Sequence, residues 1–219
     1  MAEPALVKTG EKTCPICRAE ELVEFAGRAE ARCEACDALE RHRALARRFS
    51  ELLSEGAGRT AFEAGPVSPR VFGEFLRERG WRYQSIDKSR RGNPNDPRAV
   101  AFIDFEADLC DLSPLARGSI DLVIVQHVIE EIPEYETALA EISRVLAPHG
   151  TALLEIPFSP GLERSERHAP DRFGNVWRFG GDLPGSVREH FAGVEVVVLE
   201  EASYVGRLLV CRAAGAVEP

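Results

Sequence analysis

Four cysteines stand in two matching pairs: Cys14 and Cys17 in C-P-I-C, and Cys33 and Cys36 in C-E-A-C. Each C-x-x-C knuckle turns two thiolates toward one point, and two knuckles together offer four soft ligands to a tetrahedral Zn2+. Four protein thiolates close the coordination shell, so the ion expected here is structural and not catalytic. A redox C-x-x-C would account for one pair and leave the second without a purpose. Cys110 and Cys211 stand alone. The N-terminal stretch lacks the apolar run of a signal peptide, so the cysteines read as metal ligands in a reducing cytoplasm rather than as disulfides.

A second group of residues suits the binding of an organic ligand. The segment TAFEAGPVSP at 60–69 runs a short apolar strand into Glu63 and Gly65, like a nucleotide-binding turn with one glycine where two or three are usual. Later apolar strands run into Asp87, into Asp108, and into Gln126 and His127. Ligands of open α/β sheets bind at the carboxyl ends of the strands, where these residues should gather.

The elements that must position these groups follow from the pattern. LVEF and AEAR, between the knuckles, can form a small hairpin whose core is so slight that the metal would supply most of its stability. Leu39, Ala44, Leu45, Phe49, Leu52 and Leu53 recur at helical spacing, and EGAG ends that helix. Strand and helix then alternate, and VEVVVLEEASYVGRLLVCR reads as two strands joined by a turn. The expected fold is α/β: a doubly wound, mostly parallel Rossmann-like sheet with a C-terminal antiparallel hairpin, plus a small zinc ribbon. The expected divisions are the ribbon at 1–37, a linking helix at 38–57, and the sheet domain at 58–219 with a substrate-side insertion at about 158–183. That polar insertion is too long for a plain connection and reads as a binding loop or lid without regular structure.

With 219 residues and 44% hydrophobic content the chain can build one full core and an appendage. It has no apolar run long enough to cross a bilayer, so no membrane partner is expected. A formal net charge of −9 counts against a nucleic-acid partner. The local exception is ERHRALARR at 40–48, where Arg43 and Arg47 share one helix face and Arg41 and Arg48 another. It reads either as a solvated face with ion pairs or as a surface for RNA.

The strand-end residues, with the stretch GSIDLVIVQHVIEEIPEYETALAEISRVLAPHGTALLEIPF at 118–158, resemble the class I S-adenosylmethionine-dependent methyltransferases. The closer resemblance, over roughly residues 12–212, is to methyltransferase-domain proteins with an N-terminal zinc ribbon and an E-R-H-R helix, here LERHR at 39–43. The resemblance implies that Glu63 and Gly65 lie by the methionine part of the cofactor. Asp87, with Lys88 beside it, would meet the ribose hydroxyls. Asp108 and Leu109 would lie by the adenine, and Gln126 and His127 near the sulfonium. His127 is the first candidate for substrate contact or for a base, joined by His168; Glu130 and Glu131 read as capping or surface acids. In the insertion, Asp171, Arg172, Trp177 and Arg178 are the substrate-side candidates.

Three functions stay open on these grounds. The first is methyl transfer to a small molecule, a sugar or a specialised metabolite, with the ribbon as a docking or homodimerising element. The second is ribosomal-RNA methylation with the ribbon presenting Arg41 to Arg48. The third is a catalytically weak, zinc-dependent interaction module. The first is the expectation carried forward.

Overall fold

The computed structural model describes residues 13–53, 56–68, 70–88, 103–159, 161–202 and 204–213. The Pro-, Asn- and Arg-rich stretch at 89–98 of the sequence lies outside them. No helix among the described residues is long and apolar enough to cross a membrane.

Strands β1 (Leu22–Phe25) and β2 (Arg28–Cys33) form the hairpin between the knuckles, with Leu22 opposite Cys33. Its two-residue turn places Ala26 and Gly27 at φ 53° and 80°. Positive φ at both positions matches the twist of the flanking strands.

Helix α1 (Glu40–Leu52) follows at once, and its E-R-H-R opening divides its labour. Glu40 accepts from Arg28 of β2 at 2.8 and 3.2 Å. His42 Nδ1 accepts the Leu39 N–H at 3.0 Å, capping the helix, while its ring meets Phe72 edge-on. Burial first, then the neighbouring cations, hold the His42 imidazole well below its ordinary pKa, so it stays a neutral acceptor.

Arg43 is fully buried. It donates to the carbonyls of Glu30, Ala31 and Ala38 in the ribbon and pairs with Glu201 at 3.1 Å. Arg47 takes the other Glu201 oxygen at 2.8 Å, and Arg48 pairs with Glu51. The basic run is therefore not an open cationic patch. Three of its arginines are already in ion pairs, as one of the two readings of this run expects, although Arg43 is buried and not on a solvated face.

The remaining elements build the sheet. They are β3 (Thr60–Ala64), α2 (Phe72–Arg77), β4 (Arg82–Asp87), β5 (Phe105–Glu106) and β6 (Ile120–Gln126). A 3-10 turn at Ile129–Glu131 leads to α3 (Tyr135–Val145) and β7 (Leu146–Glu155). After β8 (Glu166–Arg167) and β9 (Trp177–Arg178) come α4 (Leu183–Arg188), β10 (Gly193–Glu201) and β11 (Tyr204–Arg212). Seven strands lie in the order β10-β11-β7-β6-β3-β4-β5. The pairs from β7 to β5 are parallel, and β11 runs antiparallel to both β7 and β10.

Strand alternation sends successive side chains to opposite faces. Val123, Val125 and Leu154 meet Leu139 and Ile142 of α3 and Leu183 of α4. Leu122, Ile124 and Leu153 meet Phe49 of α1 and Phe72 and Leu76 of α2. Cys14, Cys33 and Cys36 belong to that second apolar cluster, so ribbon and sheet share one packed layer. The insertion has its own structure, unlike the loop expected from its polarity. β8 and β9 pair antiparallel, Phe158 bridges Phe179, and the Val176 N–H donates to Glu130 O at 2.9 Å.

Candidate functional site

The four ribbon cysteines bring their sulfurs within 4.8 Å of one another. Cys14 and Cys36 stand at 3.8 Å and Cys17 and Cys33 at 3.5 Å, Sγ to Sγ. Tetrahedral bonds of about 2.3 Å separate thiolates by roughly 3.8 Å, so this donor set and its spacing fit one zinc ion. Cys110 and Cys211 take no part, and burial pushes the Cys211 thiol up to about 12.

A cavity of about 1140 Å³ opens at the carboxyl ends of β3, β4, β5 and β6. It lies at the switch point, where the chain runs outward from β3 through β4 to β5 and then returns to β6 on the other side. Gly65, Asp87, Lys88, Asp108, Leu109, Gln126 and His127 all line it. Gly65 has φ 65°, and a Cβ there would stand 2.7 Å from Val128 Cγ2. The single glycine of the turn is thus placed where both backbone and space require it. Asp87 ends β4 with a carboxylate that accepts no hydrogen bond from the described residues. Burial works to raise the Asp108 carboxyl, yet the Cys110 N–H and Lys88 Nζ, both at 2.9 Å, hold it below its ordinary value.

Glu63 does not reach the cavity. Alternation along β3 turns it to the other face, where it accepts from the Tyr83 hydroxyl, and burial pushes its carboxyl up to about 7.

His127 sits at φ 55° just beyond β6, its Nδ1 3.2 Å from Glu130 Oε1 and its Nε2 3.8 Å from Glu155 Oε1. Burial opposes the charged ring, but the two carboxylates outweigh it and raise the imidazole to about 9. At neutral pH His127 is therefore a cation flanked by acids. Glu155 also accepts from Gln126 Nε2. Within this cluster Gln126 Oε1, His127 Nε2, Glu130 Oε2 and Glu155 Oε1 have no hydrogen-bond partner.

Partial burial, helped by the charges of Glu130, Asp87 and Asp171, pushes the cavity-facing Glu131 up to about 7. Glu130 and Glu131 are thus parts of the wall and not mere capping acids.

The substrate-side candidates divide. Asp171 and Arg172 line the cavity, and Asp171 accepts from the N–H groups of Phe173 and Asn175 at 2.8 and 3.0 Å. Trp177, Arg178 and His168 do not line it. Trp177 stacks on Phe179, meets Tyr135 edge-on, and donates to Pro133 O at 3.2 Å, so it carries the loop as a structural support. Arg178 is exposed opposite Glu166 in the β8–β9 pair. His168 is exposed, with Nδ1 2.7 Å from its neighbour's carbonyl.

Residues the sequence did not assign to the cavity complete it. Phe25, Ala26 and Arg28 come from the ribbon hairpin, Asp37 and Leu39 from beyond the second knuckle, and Arg41 from the first turn of α1. Burial lowers the Arg41 pKa against the pull of Glu155 and Glu130. The available signal was the E-R-H-R run: helical spacing separates Arg41 from the Arg43 and Arg47 face and leaves it pointing elsewhere.

Residues 73–154 match the methyltransferase domain family. Over 84 residues the chain is 37% identical to the ubiquinone/menaquinone biosynthesis C-methyltransferase of Methylobacterium nodulans, covering 36% of this chain and 31% of that protein. The match therefore spans about a third of that relative's length. A chain from the complex between the Haloferax volcanii Trm112 methyltransferase activator and a methyltransferase has TM-score 0.59 at 16% identity, over 80% of this chain and 91% of that one. The 1,6-didemethyltoxoflavin-N1-methyltransferase of Burkholderia thailandensis, a structure with bound S-adenosylhomocysteine, has TM-score 0.56 at 19% identity, over 78% and 76%.

Proposed function

We propose that the chain, whose residues 73–154 match the methyltransferase domain family, transfers the methyl group of S-adenosylmethionine to a small-molecule acceptor. The cavity at the strand ends, with Gly65, Asp87, Leu109 and Gln126 facing it, is the observation that carries the reading. The bound cofactor supplies a methyl carbon on a sulfonium, already joined to a good leaving group. The Asp87 carboxylate has the two acceptor oxygens a ribose diol needs. Leu109 and Ile86 offer apolar walls to a flat base, with Asp108 at its edge. Asp87 and Asp171, with a partly ionised Glu131, make this side of the cavity acidic, which favours a ligand bearing positive charge.

The protein's share of the chemistry is then mainly to hold acceptor and methyl carbon in line. His127, charged at rest, orients Glu130 and Glu155 instead of taking a proton itself. The four cysteines would hold zinc in a structural role. A small acceptor is favoured over RNA because the ribbon covers the far side of the cavity and because Arg43, Arg47 and Arg48 are already paired.

Calorimetric titration of the zinc-loaded protein with S-adenosylmethionine and S-adenosylhomocysteine tests this reading. Micromolar binding that Asp87→Ala abolishes is the expected result. A folded protein that binds neither compound would leave only the interaction-module reading.

A further inference from the structure

The cavity has two chemically different walls. Asp87, Glu130, Glu131 and Asp171 stand on the sheet side, where the cations Lys88 and His127 are already matched, by Asp108 and by Glu130 with Glu155. The ribbon side presents Phe25, Ala26 and Leu39, with the guanidinium groups of Arg28 and Arg41. The acid there among the described residues, Asp37, lies 3.6 Å from Arg32. One wall is therefore acidic, and the other apolar with cationic points.

The two arginines differ. Arg28 spends its charge on Glu40 at 2.8 and 3.2 Å. Arg41 makes no ion pair among the described residues and has an Nε without a hydrogen-bond partner. It nears Glu130 and Glu155 closely enough to feel their charge, yet closes a bond to neither. The cavity volume, about 1140 Å³, lies above the roughly 300–1,000 Å³ usual for one small ligand. A cofactor on the sheet side leaves room for a second molecule against the ribbon.

We propose that the ribbon wall is the acceptor subsite. It takes a small molecule with an apolar body, seated on Phe25 and Leu39, and one anionic group, carboxylate or phosphate, met by Arg41. The guanidinium fork suits either anion. This deepens the methyl-transfer reading and rests on it: a cofactor with net positive charge belongs by the carboxylates, which leaves the cationic wall to its partner. The ribbon then selects the acceptor, and its metal holds the selecting wall in place.

The test is calorimetry on the full-length, zinc-loaded protein, with and without saturating S-adenosylhomocysteine. The probes are benzoate, phenyl phosphate, phenol and benzylamine. Benzoate or phenyl phosphate should bind, and whichever binds more tightly identifies the anion. Arg41→Met should weaken that binding by roughly tenfold or more, with Arg41→Lys intermediate and the affinity for S-adenosylhomocysteine unchanged in both. Phe25→Ala should weaken the anionic probes while sparing the cofactor. The proposal is overturned if phenol or benzylamine binds as tightly as the anions, if no anion binds the cofactor-loaded protein, or if Arg41→Met leaves anion binding intact. Arg41-dependent anion binding by a protein that ignores S-adenosylhomocysteine would keep the subsite and sink the methyl-transfer reading instead.

Discussion

Two buried networks of charge lie on either side of α1, and they are finished to different degrees. Under the ribbon every nitrogen of Arg43 has a partner, and both oxygens of Glu201 are taken, by Arg43 and Arg47. Beside the cavity, Gln126, His127, Glu130 and Glu155 form a chain of contacts in which each keeps one polar atom without a hydrogen bond. Burying an unpaired polar atom costs about 1–3 kcal/mol, so a fold gains nothing from such gaps. A complete network fixes one arrangement, whereas an incomplete one beside a cavity marks a place where a ligand or a proton finishes the set. The first joins ribbon to sheet; the second serves the site.

The sharpest way to break the first network is to remove the metal that shapes it. The carbonyls of Glu30, Ala31 and Ala38 point at Arg43 because the hairpin and second knuckle hold them there. Structural zinc supplies on the order of 10 kcal/mol to domains of this kind. We expect one zinc per chain by elemental analysis. Chelation, or the pair Cys33→Ser and Cys36→Ser, should lower the melting temperature sharply. A purified, folded chain without metal, or a melting curve indifferent to the chelator, would refute this.

Arg43→Met comes next. It leaves Glu201 with one cation and strands three ribbon carbonyls, and breaking a buried pair costs about 3–5 kcal/mol. Urea unfolding should show a loss of that size. Arg43→Lys should recover little, because one ammonium cannot span four acceptors in a plane. A loss under 1 kcal/mol would mean the pin is ornamental and the two networks differ less than their geometry suggests.

The same contrast governs how much of the molecule its sequence disclosed. The four-cysteine set, the alternation of β3, α2, β4 and β6, and the terminal hairpin were legible, because ligand spacing and strand periodicity are local properties. Asp87, Gln126 and His127 were legible as strand ends. Glu63 was not, since its place depends on which face the last turn of β3 presents, and a shift of one residue reverses that. The ribbon wall was hidden for another reason. Phe25 and Arg41 line the cavity where the ribbon is held over it by contacts far apart in the chain, the Arg43–Glu201 pair and the shared apolar layer among them. The charge on His127 was equally unreadable: an isolated histidine suggests a base, and only Glu130 and Glu155 on either side make it a cation.

That charge gives the gentlest test of the second network. Glu130→Gln keeps the shape of the wall and removes one of the two carboxylates that hold the imidazolium. The His127 resonance should titrate near pH 9 in the parent protein by NMR, as its raised value implies, and move back toward about 6.5 in the variant. Stability should follow. A histidine raised above its unfolded value stabilises fully below about pH 6.5, and the benefit disappears as pH rises through about 9. Because the side chain is 34% exposed, solvent screening trims the effect to about 1–2 kcal/mol. The parent should therefore lose that much between those pH values, while Glu130→Gln, starting lower, shows a flatter profile. A His127 that titrates near 6.5 in the parent would place the carboxylates' protons elsewhere and return the ring to service as a base.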